Sequence, residues 1–132
     1  MGLDNGICVK RNEKSMAIYN KLQRFEESWD KEHKYDFEIA YWRKCWNVRS
    51  RIIWCLGCGE DDGCTTIQRD DIPKIISELQ SFNAKNWNED SWGSIWDWDE
   101  QKPHMKRYIK NLKYLYRLMS KYDLDVYFYD SY

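Results

Sequence analysis

Met105, Tyr108, Ile109, Leu112, Leu115, Met119 and Tyr122 recur at helical spacing over about five turns, and the chain then enters the alternating stretch Val126-Tyr127-Phe128-Tyr129. A long helix with one apolar face needs a surface to bury it, and a strand a few residues later points to a sheet. The pair sets the expectation for the whole chain: an α+β fold, with a mainly antiparallel sheet of about five short strands and three to four helices packed on it, the long C-terminal helix being followed by a final strand. One domain over residues 1–132 suffices. A chain of this size buries roughly two thirds of the surface its unfolded form exposes.

Leu3, Asn5, Ile7 and Val9 share one side of a first strand within Met1–Arg11, where Asn5-Gly6 invites a bulge. Ile18, Leu22, Phe25 and Trp29 mark an amphipathic helix over about residues 12–29. Alternation in Phe37–Lys44 puts Phe37, Ile39 and Tyr41 on one face and Glu38, Ala40 and Trp42 on the other. Tyr41 is thereby assigned to the core, and Trp42, Arg43 and Lys44 to an accessible lip. The next helix presents Cys45, Val48, Ile52, Ile53 and Leu56 as its buried face, with Arg43, Lys44, Arg49 and Arg51 gathered near its start as a positive patch. A glycine-rich break over Gly57–Gly63 precedes a short strand at Cys64–Gln68. Asp70 or Asp71 then caps a helix with Pro73 in its first turn and Ile72, Ile75, Ile76 and Leu79 as its stripe. Ser81–Pro103 is the least regular segment; a strand is expected at Ser94–Trp98, and Pro103 is expected to open the last helix.

Basic and acidic residues number 21 and 22, a net charge of −1, so no global field draws the chain to duplex nucleic acid or to an anionic membrane. No apolar run approaches about 18 residues, and the start of the chain lacks the basic, apolar and small-residue order of a secretory signal. The expected location is the cytoplasm. Gly2 alone makes a poor myristoylation signal, because Gly6 stands where Ser or Thr belongs.

The unusual feature of the composition is eight Trp with ten Tyr. Such rings serve cores, partner surfaces and base-stacking platforms alike. Trp87, Trp92, Trp96 and Trp98 place four indoles within twelve residues of a polar segment, either as a lid folded onto the sheet or as a binding surface. The five cysteines are an odd count, and reduced thiols are expected. Cys55, Cys58 and Cys64, completed by His33 or His104, are the weak candidates for a metal site; Cys45 lies ten residues before Cys55 on the same helix, about 15 Å along its axis, and cannot join them. The Gly57–Gly63 loop follows a helix instead of opening one and carries three carboxylates, which is wrong for phosphate. Asp4, Asp61 and Asp62 are the only acidic set that suggests a divalent ion. His33 and His104 lack a neighbouring nucleophile, and no catalytic residue and no cofactor are expected.

The opening Met1-Gly2-Leu3-Asp4, the central Tyr41-Trp42-Arg43-Lys44 leading into a helix, Asp61-Asp62-Gly63-Cys64, Gln68-Arg69-Asp70-Asp71 and the terminal Asp125-Val126-Tyr127-Phe128-Tyr129-Asp130-Ser131-Tyr132 together resemble a family of small phage and prophage proteins. The resemblance runs in order along nearly the whole chain. It implies a viral origin and a place in the cytoplasm of an infected bacterium, and no activity. The expected function is that of a non-catalytic accessory protein that binds and blocks a host component, with anti-phage defence as one target. A host protein would be gripped by Trp and Tyr anchors with Arg43 and Arg49 at the rim. A small nucleotide immune signal would stack on Trp or Tyr and place its phosphates on Arg43, Lys44, Arg49 or Arg51. The alternative is a nucleotide- or phosphoester-processing enzyme built on the acidic set. The sequence does not set the oligomeric state, and a homodimer is compatible with it.

Overall fold

The computed structural model describes residues 3–57, 63–90 and 97–131, with the side chains of residues 88–90 left aside. Its element order is β1 (Asp4–Val9), α1 (Glu13–Met16), α2 (Tyr19–Leu22), a 3-10 turn (Gln23–Phe25), β2 (Phe37–Arg43), α3 (Trp46–Leu56), β3 (Cys64–Ile67), α4 (Asp71–Gln80), α5 (Ala84–Asp90), α6 (Trp98–Met119) and β4 (Val126–Ser131). The α+β expectation holds, with a four-stranded antiparallel sheet of order β2-β1-β4-β3 in place of five strands, and α6 followed by the final strand. Most of the expected fifth strand, Ser94–Trp98, lies outside the described residues, and Trp98 itself opens α6.

Asn5, Ile7 and Val9 share the face of β1 that carries Phe128 and Val126 of β4 opposite them, the side expected from the sequence. This face and the apolar stripes of the helices form one core, in which Ile52 of α3, Ile72, Ile75 and Leu79 of α4, and Met105, Leu112 and Leu115 of α6 are all buried. The opposite face carries Asp4, Gly6 and Cys8 in β1, Glu38 and Tyr41 in β2, and Tyr127 and Tyr129 in β4.

A bulge separates the two faces of β2 differently from simple alternation. Ile7 pairs with Ala40 but Cys8 pairs with Glu38, so Ile39 has no opposite number. The extra residue shifts the phase by one: Phe37, Ile39, Ala40 and Trp42 are all buried, while Glu38 and Tyr41 are only partly so. Trp42 is therefore core and Tyr41 belongs to the open face, the reverse of the expected assignment.

The expected helix over residues 12–29 is instead broken into α1, α2 and the 3-10 turn. Asn12 and Ser15 close a capping box at its start. Ile18, Leu22 and Phe25 still reach the core, whereas Trp29 lies beyond the turn and is exposed. Helix α6 begins five residues before Pro103, because the Asp97 side chain accepts from Glu100 N at 2.9 Å and the acidic first turn suits the helix dipole. Pro103 sits in the second turn, where it forgoes one main-chain hydrogen bond.

Candidate functional site

The junction of β2 and α3 is built on a tight turn. Lys44 adopts φ 56°, the left-handed region, and its N–H donates to Leu3 O at 2.6 Å. The turn swings α3 back across the core face, with Cys45 buried as its N-cap residue and its thiol 3.3 Å from Arg43 O.

The sequence-predicted site residues separate here. Trp42 is buried and meets Tyr108 of α6 edge to face at 5.2 Å, so neither ring face is presented to a partner. Arg49 is also buried, and its Nε donates to Asp130 Oδ2 of β4 at 2.5 Å. Arg51 donates to Glu78 Oε2 at 3.2 Å and to Ser81 Oγ at 2.7 Å, and its guanidinium lies 4.2 Å over the Phe82 ring. Arg43 alone of the four cations is exposed, with Lys44 half-buried beside it. The positive patch is largely turned inward, as ties between α3 and its neighbours.

The aromatic segment resolves in part. Trp87 of α5 is fully buried between Phe82, at 5.2 Å edge to face, and the half-buried Trp98, at 5.6 Å. These two indoles close the core between α4 and α6. Trp92 and Trp96 lie outside the described residues.

On the open sheet face the tyrosines are held by carboxylates. The Tyr41 hydroxyl donates to Asp4 Oδ1 at 2.5 Å, and burial together with that carboxylate pushes its pKa up to about 12. The Tyr127 hydroxyl donates to Asp36 Oδ2, and burial with this bond raises Tyr127 as well. Cys8, between Glu38 and Tyr127 in register, is pushed up to about 12 by burial and then by Glu38, which makes it a poor nucleophile. Asp4 is thus engaged by Tyr41, and Asp61 and Asp62 lie outside the described residues, as does Cys58. Among the described residues no group of three or more His, Cys, Asp or Glu side chains is placed to hold a metal.

The exposed aromatic surface lies elsewhere. Trp54 of α3 is 76% exposed and makes no ring contact with another described residue. It stands between two surface hollows along the α3–α4 seam, one of ≈ 600 Å³ bordered by Cys55, Pro73 and Ser77, the other of ≈ 360 Å³ bordered by Ser50 and Arg51, with Glu78 in both. Trp29 and Tyr35 are also exposed but cover one another edge to face at 5.0 Å. Sequence reasoning missed Trp54. Its signal was an indole placed off the apolar stripe of an otherwise well-patterned helix.

No family model matches the chain, and no match is found among curated proteins or among solved structures. Among the described residues no helix is long and apolar enough to cross a membrane.

Proposed function

We propose that this is a non-catalytic accessory protein of phage origin that binds and blocks a host protein, with Trp54 as the anchor. The single observation that carries the reading is Trp54, 76% exposed and flanked by hollows on both sides. An indole held on a rigid helix and left in water is the residue type most enriched at energetic centres of protein interfaces. Arg51 and Lys74 border the same seam and supply a polar rim. The resemblance to small phage and prophage proteins supports the viral origin, and with it a host target.

A protein target is favoured over a nucleotide signal because Arg49 and Arg51 already serve Asp130 and Glu78, which weakens the cationic cluster available to phosphates. The test is affinity capture from a bacterial host lysate with the native protein and with Trp54→Ala. A stoichiometric partner retained by the native protein and lost by the variant supports the reading. No stoichiometric partner, or one captured equally by both, overturns it.

A further inference from the structure

The net charge of −1 conceals a segregation of charge along α6. Between Gln101 and Tyr122 stand seven Lys or Arg and no Asp or Glu, so all 22 acids of the chain lie outside this stretch. Lys102, Lys106, Lys110, Lys113 and Arg117 follow one another at steps of four or three, and every one is exposed. That spacing confines them to an arc of about 80° and strings them over about 22 Å of the helix. Lys121, in the turn that follows α6, continues the row.

None of these side chains has an ion pair or hydrogen bond to a described residue. Like charges at i, i+4 repel, and carboxylates at those positions ordinarily offset them; on α4 of the same chain Lys74 is followed by Glu78. The row is instead reinforced from both sides. Tyr114 and Tyr116 stand about 40° outside its two margins, and each ring carries a further exposed cation. The Arg24 guanidinium lies 4.4 Å over Tyr114, and that of Arg69 lies 4.9 Å over Tyr116 with its Nε donating to Ser120 Oγ at 3.0 Å. The helix is fixed beneath this surface, because Asn111 Nδ2 donates to Ile39 O and the Tyr114 hydroxyl to Lys21 O, both at 3.0 Å.

We infer that this face of α6 binds duplex DNA through its phosphates, without regard to base sequence. An unpaired row of cations is the complement of a linear polyanion, and duplex DNA carries one charge per about 1.7 Å of its axis. A helix about 10–12 Å across fits along a major groove about 12 Å wide, with cations on both flanks turned toward the strands that border it. Lysine as the dominant residue makes point contacts to phosphate and reads no base. A single strand is less well served, because guanidiniums cover the Tyr114 and Tyr116 rings on which bases would stack. A membrane is less well served too. The apolar face of α6 is spent on the core, and the exposed large apolar side chains among the described residues, Met16, Trp29, Tyr35 and Trp54, all lie off this helix. The surface is separate from the Trp54 seam: α4 packs against both α3 and α6, and no residue of the row borders the hollows beside Trp54.

The experiment is fluorescence anisotropy of a labelled DNA duplex of about 30 base pairs, titrated with the full chain at about 50 to 200 mM salt. The expected result is saturable binding with Kd below about 100 μM at the lowest salt, and a slope of log K against log salt of about −4 to −5, as for five phosphate contacts. A duplex of unrelated sequence binds within about threefold, and the single strand at least about fivefold more weakly. Replacing Lys106, Lys110 and Lys113 together by Gln reduces the slope by about 3 and weakens binding at least about tenfold, while the corresponding Arg triple keeps both. Replacing the exposed Lys10, Lys31 and Lys85 by Gln makes the same change in net charge and leaves the slope within about 1 of the native value. Trp54→Ala leaves the titration unchanged. No saturable binding at the lowest salt, or equal losses in the two Gln triples, overturns the inference. So does a single strand bound as tightly as the duplex, or binding to phosphatidylserine vesicles in place of the duplex.

Discussion

Arg49 and Asp130 join α3 to the last strand inside the interface between sheet and helices, Nε to Oδ2 at 2.5 Å, with each side chain only 8% exposed. Breaking a buried pair of this kind by truncating one side costs about 3–5 kcal/mol. Arg49→Ala and Asp130→Ala are each expected to lower stability by that amount in urea unfolding, and the double replacement by less than the sum. Additive losses would show that the two side chains act independently.

Gly6 lies beneath Tyr129 and beside the main chain of β2: a Cβ built on it stands 2.7 Å from Ala40 O and 2.8 Å from Tyr129 Cε1. Gly6→Ala is expected to cost about 1–3 kcal/mol through overpacking. Since the nearer obstacle is a backbone atom in a paired strand, adding Tyr129→Ala does not restore the loss. Thermal unfolding of the single and double variants checks both statements.

Glu38 gives a pH dependence of defined sign. Its carboxyl titrates at about 7 in the folded chain against 4.5 for the ordinary value, through burial and Glu27, with Tyr41 on its own strand, Cys8 and Tyr129 on the neighbouring strands and Arg107 on α6 around it. The native state holds a proton that the unfolded chain has released, so stability falls as pH rises from 4.5 through 7. Glu38→Gln is expected to match the native protein at pH near 5 and to exceed it near pH 8 by on the order of 1 kcal/mol, after discounting for solvent screening. Melting curves at the two pH values decide it, and an equal gain at both removes the role of ionisation.

Trp42 and Trp54 are expected to behave oppositely. Trp42→Ala opens a cavity against Tyr108 and costs about 3–5 kcal/mol, whereas Trp54→Ala stays within about 0.5 kcal/mol of the native protein. Chemical denaturation of the two variants provides the comparison.

At Lys44 the left-handed backbone penalises any side chain. Lys44→Gly is expected to gain up to about 1 kcal/mol. A loss in the same assay would show that the Lys44 side chain contributes more than its conformation costs.

Much of this architecture was legible in the residues. The periodic stripes of α4 and α6 and the alternation of β1 and β4 report directly which atoms leave water, and each took the expected place. What escaped depends on contacts distant in sequence. The bulge at Ile39 exists because β1 and the side chain of Asn111, 72 positions away, hold it there, and nothing within Phe37–Lys44 announces it. One uncounted residue exchanged the roles of Tyr41 and Trp42. The basic patch was misjudged for the same reason, because Asp130 and Glu78 meet Arg49 and Arg51 only after the chain has folded. Trp54 was missed for a different reason: its signal, an indole off its helix stripe, stood in the sequence and went unused.

The hydrogen bond from Asn111 to Ile39 O also bears on how copies of the chain meet. A strand at the margin of a sheet offers its unpaired main chain to any neighbouring molecule. Helix α6 obstructs that offer along β2 with Asn111 and with Tyr108, whose hydroxyl meets the Tyr41 main chain, and at the other margin β3 is only four residues long. A bonded margin on one side and a short strand on the other leave little open main chain for another strand to copy.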